Sequence, residues 1–175
     1  MEDNITVLIS EEDLDKRIKE LGEQISKDYE GQEVHLICVL KGGAFFMCEL
    51  AKRITIPVSI DFMSVSSYGD ASVSSGVVRI VKDLDKPIEG KNVIVVEDII
   101  DTGRTLSYLL KVLNDRHPES IKLCTMLDKP DRRVVDDVNV DYTGFEIPDE
   151  FVVGYGLDYA ERYRNLPYIG VVHLE

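Results

Sequence analysis

The chain has no apolar run long enough to span a bilayer, and no signal-peptide pattern follows Met1. A cytoplasmic protein with no membrane partner is the expectation. Positive charge is scarce. Twenty Lys and Arg stand against 33 Asp and Glu, a formal net charge of −13. That balance argues against nucleic-acid binding, which wants a basic face. Cys38, Cys48 and Cys124 form no C-x-x-C pair and lie inside apolar segments, so they read as reduced core thiols. His35, His117 and His173 lie far apart without ligand spacing and read as structural or surface residues. No G-x-x-x-x-G-K-[ST] occurs, which removes the helicases and related nucleoside triphosphatases.

What the chain does have is concentrated in V-I-V-V-E-D-I-I-D-T-G-R-T, residues 93–105. The β-branched run 93–96 reads as a buried strand with Glu97 and Asp98 at its end. Asp101, Thr102 and Gly103 turn into a helix whose apolar residues Leu106, Leu109, Leu110 and Leu113 share one face. Such a turn suits phosphate, because the first helical N–H groups lack partners and the helix dipole favours negative charge there. Gly103 lets the backbone approach a ligand, and Thr102 and Thr105 add hydroxyl donors. Glu97, Asp98 and Asp101 would repel a bare phosphate. A ligand with hydroxyls or a developing positive charge beside its phosphate, such as ribose 5-phosphate, suits all of these groups at once.

The rest of the 175 residues read as one domain of ordinary globular composition. Residues 5–9 alternate as a strand. Ser10 with Asp13 marks a helix start, and Leu14, Ile18, Leu21 and Ile25 trace an amphipathic helix. An apolar strand over 34–40 runs into Lys41-Gly42-Gly43 and a helix from about Ala44, so a second glycine turn presents N–H groups beside a cation. Strands at 58–65 and 77–81 flank a small, polar stretch, about 66–76, that is long for a hairpin and suited to a lid. A strand over 121–127 ends at Asp128-Lys129-Pro130. The acids and arginines of 131–141 read as a solvated connection without chemistry, and 140–147 as another strand. The segment 151–164 is aromatic and glycine-broken, with no clean period. Strands alternating with helices imply an α/β fold with a mainly parallel sheet and a ligand at the carboxyl ends of its strands. Lys41, Glu97, Asp98, Asp101 and Lys129 all fall there.

The run 93–105 resembles the phosphoribosyl-pyrophosphate (PRPP) signature of the type I phosphoribosyltransferases. Together with L-K-G-G, S-Y-G-D, Asp-Lys-Pro and F-V-V-G-Y-G-L-D-Y-A-E-R-Y-R, it is similar to the bacterial 6-oxopurine branch of that family, over nearly the whole chain. The resemblance implies a mainly parallel central sheet flanked by helices (core about 11–147). It adds a small hood from the chain N-terminus and C-terminal segment (about 1–10 and 148–175) and a mobile lid at about 66–76 carrying Ser67 and Tyr68. It further implies magnesium-dependent transfer of the phosphoribosyl group from PRPP to hypoxanthine or guanine, giving IMP or GMP and pyrophosphate.

By the same resemblance Asp101 faces the purine N7 as the proton-handling group. Lys129 donates to the 6-oxo group, Phe151 and Ile99 sandwich the base, and the Val152 carbonyl accepts from a 2-amino group. Lys41, Gly42, Thr102, Gly103, Arg104, Thr105 and Arg164 bind phosphate and pyrophosphate, with Arg104 standing where many relatives carry lysine. Glu97 and Asp98 hold the ribose hydroxyls and, with Asp158, serve magnesium. A homodimer or homotetramer and inhibition by guanosine tetraphosphate are further implied, as is a cis Leu40–Lys41 peptide in many relatives. Two alternatives stay open: a xanthine-preferring enzyme, and a PRPP-sensing RNA-binding regulator, against which Asp101 and the sign of the net charge weigh.

Overall fold

The computed structural model describes residues 4–67 and 78–173. Along the chain run β1 (Asn4–Ile9), α1 (Glu11–Asp28), β2 (Val34–Val39), α2 (Ala44–Arg53), β3 (Val58–Ser67) and β4 (Val78–Lys82). There follow β5 (Asn92–Ile100), α3 (Arg104–Asn114), β6 (Ser120–Asp128), a 3-10 turn (Pro130–Arg132), β7 (Tyr142–Glu146), β8 (Val152–Val153) and β9 (Ile169–His173). Among the described residues the strands form two sheets. One has the order β4-β3-β2-β5-β6-β7, the other β1-β9-β8. In the larger sheet every pairing is parallel except β3 with β4.

The unbroken apolar runs of β2 and β5 follow from burial on both faces. Leu36, Cys38, Ile94 and Val96 join one core with α1 and α2, and Ile37, Val39, Val93 and Val95 join another with α3. Helix α1 starts as its residues dictate. The Ser10 hydroxyl accepts from the Asp13 N–H at 3.1 Å, three acids occupy the first turn, and Leu14, Ile18, Leu21 and Ile25 are buried.

Three expectations are corrected. Strand β5 does not stop before Glu97 but runs on to Ile100, because β6 keeps pairing with it as far as Asp128. The strand expected over 140–147 is shorter. The stretch 151–164, read as having no clean period, supplies the short β8, and β9 follows it. Its residues 154–163 break into tight bridges, Gly154 with Leu157 and Tyr159 with Arg162. Tyr155, Ala160, Glu161 and Tyr163 there take positive φ, which hides any period.

The sheet order places the functional edge. From β2 the chain goes to β3 on one side. From β5 it goes to β6 and β7 on the other. The crevice where the two directions part, at the carboxyl ends of β2 and β5, is where open α/β sheets receive ligands.

Candidate active site

Two tight loops face each other in that crevice. After β2, Leu40–Lys41 is a cis peptide, and the chain turns through Gly42 and Gly43 into α2. Gly42 lies so close to β5 that a Cβ there would sit 1.6 Å from Asp98 Oδ2. Glycine is required for this approach, since any side chain would occupy the carboxylate's place. After β5, Asp101 and Thr102 lead to Gly103, which takes φ +82° and starts α3 without a side-chain cap. The Thr102 hydroxyl reaches the Arg104 N–H at only 3.5 Å. Glu97, Ile99, Asp101, Thr102 and Thr105, with Val39 from β2, line a cavity of about 230 Å3 at the second loop.

Glu97 is 9% exposed and Asp98 is partly buried beside it. Burial first, and the neighbouring Asp98 second, push the Glu97 carboxyl well above the ordinary range. Asp98 is raised by burial too, against the Ile99 N–H that its Oδ1 accepts at 2.6 Å and the positive charge of Arg164. Two acids that repel each other out of water are poised for a ligand bringing hydroxyl donors or positive charge.

Asp101 and Lys129 are brought together across the next strand pair, as the Lys129 N–H donates to the Ile100 carbonyl at 3.0 Å. The Lys129 side chain is buried, with its ammonium 3.6 Å from Asp149 Oδ1. Phe151, half-exposed, packs edge-on against Tyr159 with ring centroids 5.5 Å apart, and Val152 is buried in β8. The C-terminal segment covers the first loop. A Cβ on Gly156 would sit 2.1 Å from the Gly42 carbonyl oxygen.

Other expected residues are engaged with one another. Lys41 pairs with Glu161 at 3.0 Å. Arg164 Nη2 lies 3.0 Å from Asp158 Oδ1, its Nη1 donates to the Gly156 carbonyl at 2.7 Å, and its Nε is buried without a partner. Asp158 Oδ2 accepts from the Glu161 N–H at 2.8 Å. Glu97, Asp98 and Asp158 are not gathered into a metal cluster, and among the described residues no group of three such ligands converges. Tyr68 lies outside the described residues with most of the expected lid, and Ser67 ends β3 at their border.

The stretch 131–141 is mostly exposed, as expected of a solvated connection, yet two of its arginines reach the residues expected at the site. Arg132 Nε lies 3.1 Å from Asp101 Oδ1, and its Nη1 reaches Asp149 Oδ2 at 3.3 Å. Arg133 pairs with Asp128 and donates to the Asp101 carbonyl oxygen at 3.4 Å. A Cβ on Gly103 would meet Val135 Cγ2 at 2.8 Å and Arg133 Cδ at 2.9 Å, so this connection packs against the turn into α3. The available signal was Pro130, whose fixed φ suits a tight turn that swings the arginines back toward Lys129.

A strand order that reverses beside an acid-lined turn into an uncapped helix start suits a nucleotide- or sugar-phosphate-handling enzyme, and comparison with known proteins narrows the class. The family model for the phosphoribosyl transferase domain matches residues 10–160. The hypoxanthine-guanine phosphoribosyltransferase of Streptococcus thermophilus is 54% identical over 169 residues, covering 97% of this chain and 93% of that protein. A bifunctional TilS/HprT protein of Listeria monocytogenes is 55% identical over 97% of this chain, which spans only 26% of that longer protein. The crystal structure of a Bacillus anthracis hypoxanthine-guanine phosphoribosyltransferase superposes with a TM-score of 0.93 at 52% identity, covering 97% of this chain and all of that one. The chain belongs to the phosphoribosyltransferase family, in its hypoxanthine-guanine branch.

Proposed function

We propose that this chain is a purine-salvage enzyme that transfers the phosphoribosyl group of PRPP to N9 of hypoxanthine or guanine, releasing pyrophosphate and forming IMP or GMP. The observation that carries this is the convergence of Gly42, Asp98, Asp101 and Lys129 where the strand order reverses. This supports reading the four as pyrophosphate turn, ribose holder, proton carrier and purine reader.

In the proposed reaction the purine N9 attacks C1 of the ribose, the bond from C1 to the pyrophosphate oxygen breaks, and configuration inverts. The 5-phosphate lies on the uncapped start of α3, among Thr102, Gly103, Arg104 and Thr105. Glu97 and Asp98 accept from the ribose hydroxyls and stabilise the positive charge that builds on the ring. Asp101 takes or returns the purine proton at N7. Lys129 has donors only, so it matches a 6-oxo group and mismatches the 6-amino group of adenine. Ile99 and Phe151 hold the base between them, and the Val152 carbonyl accepts from the 2-amino group of guanine. Lys41, Gly42 and Arg164 face the pyrophosphate.

The donor set fits magnesium. That ion is held by one or two carboxylates plus substrate phosphates rather than by an all-protein cage. Asp158, Glu97 and Asp98 would supply the carboxylates. When bound, magnesium neutralises charge on the leaving group and offsets the protein's net charge of −13.

The three-stranded sheet of β1, β9 and β8 serves as a hood, residues of about 66–76 as the lid, and the whole as one domain. No helix among the described residues is long and apolar enough to cross a membrane. A cytoplasmic homodimer or homotetramer, inhibited by guanosine tetraphosphate at the phosphate sites, completes the proposal; a flat inhibition curve to millimolar alarmone would end its last part.

The test is turnover of PRPP with hypoxanthine, guanine, xanthine and adenine, with and without magnesium. Magnesium-dependent use of hypoxanthine and guanine, with adenine ignored, is expected. Strong use of xanthine would move the specificity, and no turnover with any base would overturn the function.

A further inference from the structure

We infer that Arg132 is a positioning residue that fixes the Asp101 carboxylate and, through Asp149, the Lys129 ammonium, so that one guanidinium ties the proton carrier to the purine reader. This rests on the roles proposed above for Asp101 and Lys129. The geometry is a chain of four charges. Asp101 Oδ1 lies 3.1 Å from Arg132 Nε, Arg132 Nη1 lies 3.3 Å from Asp149 Oδ2, and Asp149 Oδ1 lies 3.6 Å from Lys129 Nζ.

Arginine suits this task because its planar fork presents several donors in a fixed relation. Anchoring Oδ1 sets the plane of the Asp101 carboxylate and gives proton exchange with the purine to Oδ2. Holding one Asp149 oxygen keeps the other turned toward Lys129. The lysine stem is buried, so small shifts of Asp149 re-aim its ammonium. Both ends of the purine's polar edge, N7 and the 6-oxo oxygen, are then met by groups set at a fixed separation.

The backbone supports the same assignment. Pro130 opens a 3-10 turn in which the Arg132 N–H donates to the Lys129 carbonyl at 3.0 Å. That bond holds Arg132 within one tight turn of Lys129. Asp101, Arg132 and Asp149 are each about half exposed, so in the free protein these ion pairs add little to stability. Their effect belongs to the closed site, where bound substrates exclude water and strengthen the interactions.

The experiment uses the full chain carrying Arg132→Ala, Arg132→Lys or Asp149→Asn. It reads kcat and KM for hypoxanthine, PRPP affinity and the thermal midpoint. Arg132→Ala should lower kcat and raise the hypoxanthine KM, each by about tenfold, because a positioning error of about 1 Å is costly. PRPP affinity and the midpoint should stay as in the parent. Arg132→Lys should recover much of kcat, since an ammonium still reaches Asp101, but not the KM, since it lacks the fork that also holds Asp149. Asp149→Asn should raise the KM with kcat nearly intact.

Parent values of kcat and KM in Arg132→Ala would overturn the inference. So would a lost midpoint and lost PRPP affinity in that variant together with an unchanged hypoxanthine KM in Asp149→Asn, because Arg132 would then be structural. A parent enzyme that uses neither hypoxanthine nor guanine overturns instead the function on which the inference rests.

Discussion

Gly42→Ala tests the crevice most directly, because its effect follows from one contact. Gly42 is not in the left-handed region, so alanine brings no backbone strain of that kind. Its Cβ would sit 1.6 Å from Asp98 Oδ2 and 2.6 Å from Asp98 Cγ, where real Cβ atoms essentially never come within 3.0 Å. Something must therefore give by about 1.4 Å. Gly156 also packs closely on this loop, since a Cβ there would sit 2.1 Å from the Gly42 carbonyl oxygen, which leaves the loop little room to shift. Asp98 must move, and it loses the 2.6 Å hydrogen bond from the Ile99 N–H if it does.

Overpacking of this kind costs about 1–3 kcal/mol. At about 2–4 °C per kcal/mol for a chain of this size, the midpoint should fall by roughly 2–12 °C. Displacing a ribose-holding carboxylate by more than an ångström should reduce kcat/KM for PRPP by about a hundredfold. Scanning calorimetry and initial rates at varied PRPP read the two effects. Gly90→Ala is the control. Its φ of +70° makes alanine strained, but no heavy atom lies within 4 Å, so it should cost stability and leave PRPP kinetics alone. A Gly42→Ala protein with parent stability and parent PRPP kinetics would refute the close packing of this loop on Asp98.

Asp101→Asn should keep the fold and PRPP binding and slow turnover at least about a hundredfold; unchanged turnover removes Asp101 from proton handling. Lys129→Ala should reduce guanine use and weaken discrimination against adenine, and a constant adenine-to-guanine activity ratio would show that Lys129 does not read the 6-position. The raised Glu97 and Asp98 carboxyls favour the protonated form in the folded state. The metal-free protein should therefore lose stability as pH rises from about 4, where the unfolded carboxyls ionise, through the raised folded values. Glu97→Gln should flatten that dependence and raise the midpoint near neutral pH while impairing PRPP use. Chemical denaturation from pH 4 to 8 in chelator checks the sign, and stability rising over that range in the parent would refute it.

Much of the site was legible because its residues are local. Glu97, Asp98, Asp101 and the turn to Gly103 lie within one strand–turn–helix, and the periodicity of Leu106, Leu109 and Leu113 fixed the helix that follows. Lys129 could be placed because it ends a strand. The four-charge chain through Arg132 could not. Its members sit on three connections after different strands, and nothing in 131–141 says which way the arginines point. The same holds for Glu161, which meets Lys41 across 120 residues of chain.

Sequence alone thus determined most of the helices and central strands, the α/β class and the acid-lined turn before α3, since each depends on side-chain period and local backbone chemistry. Tertiary structure alone decided the reversal of strand order, the pressing of Gly42 onto Asp98, and the guanidinium between Asp101 and Asp149. Those depend on contacts between distant segments, which folding creates and no local pattern encodes.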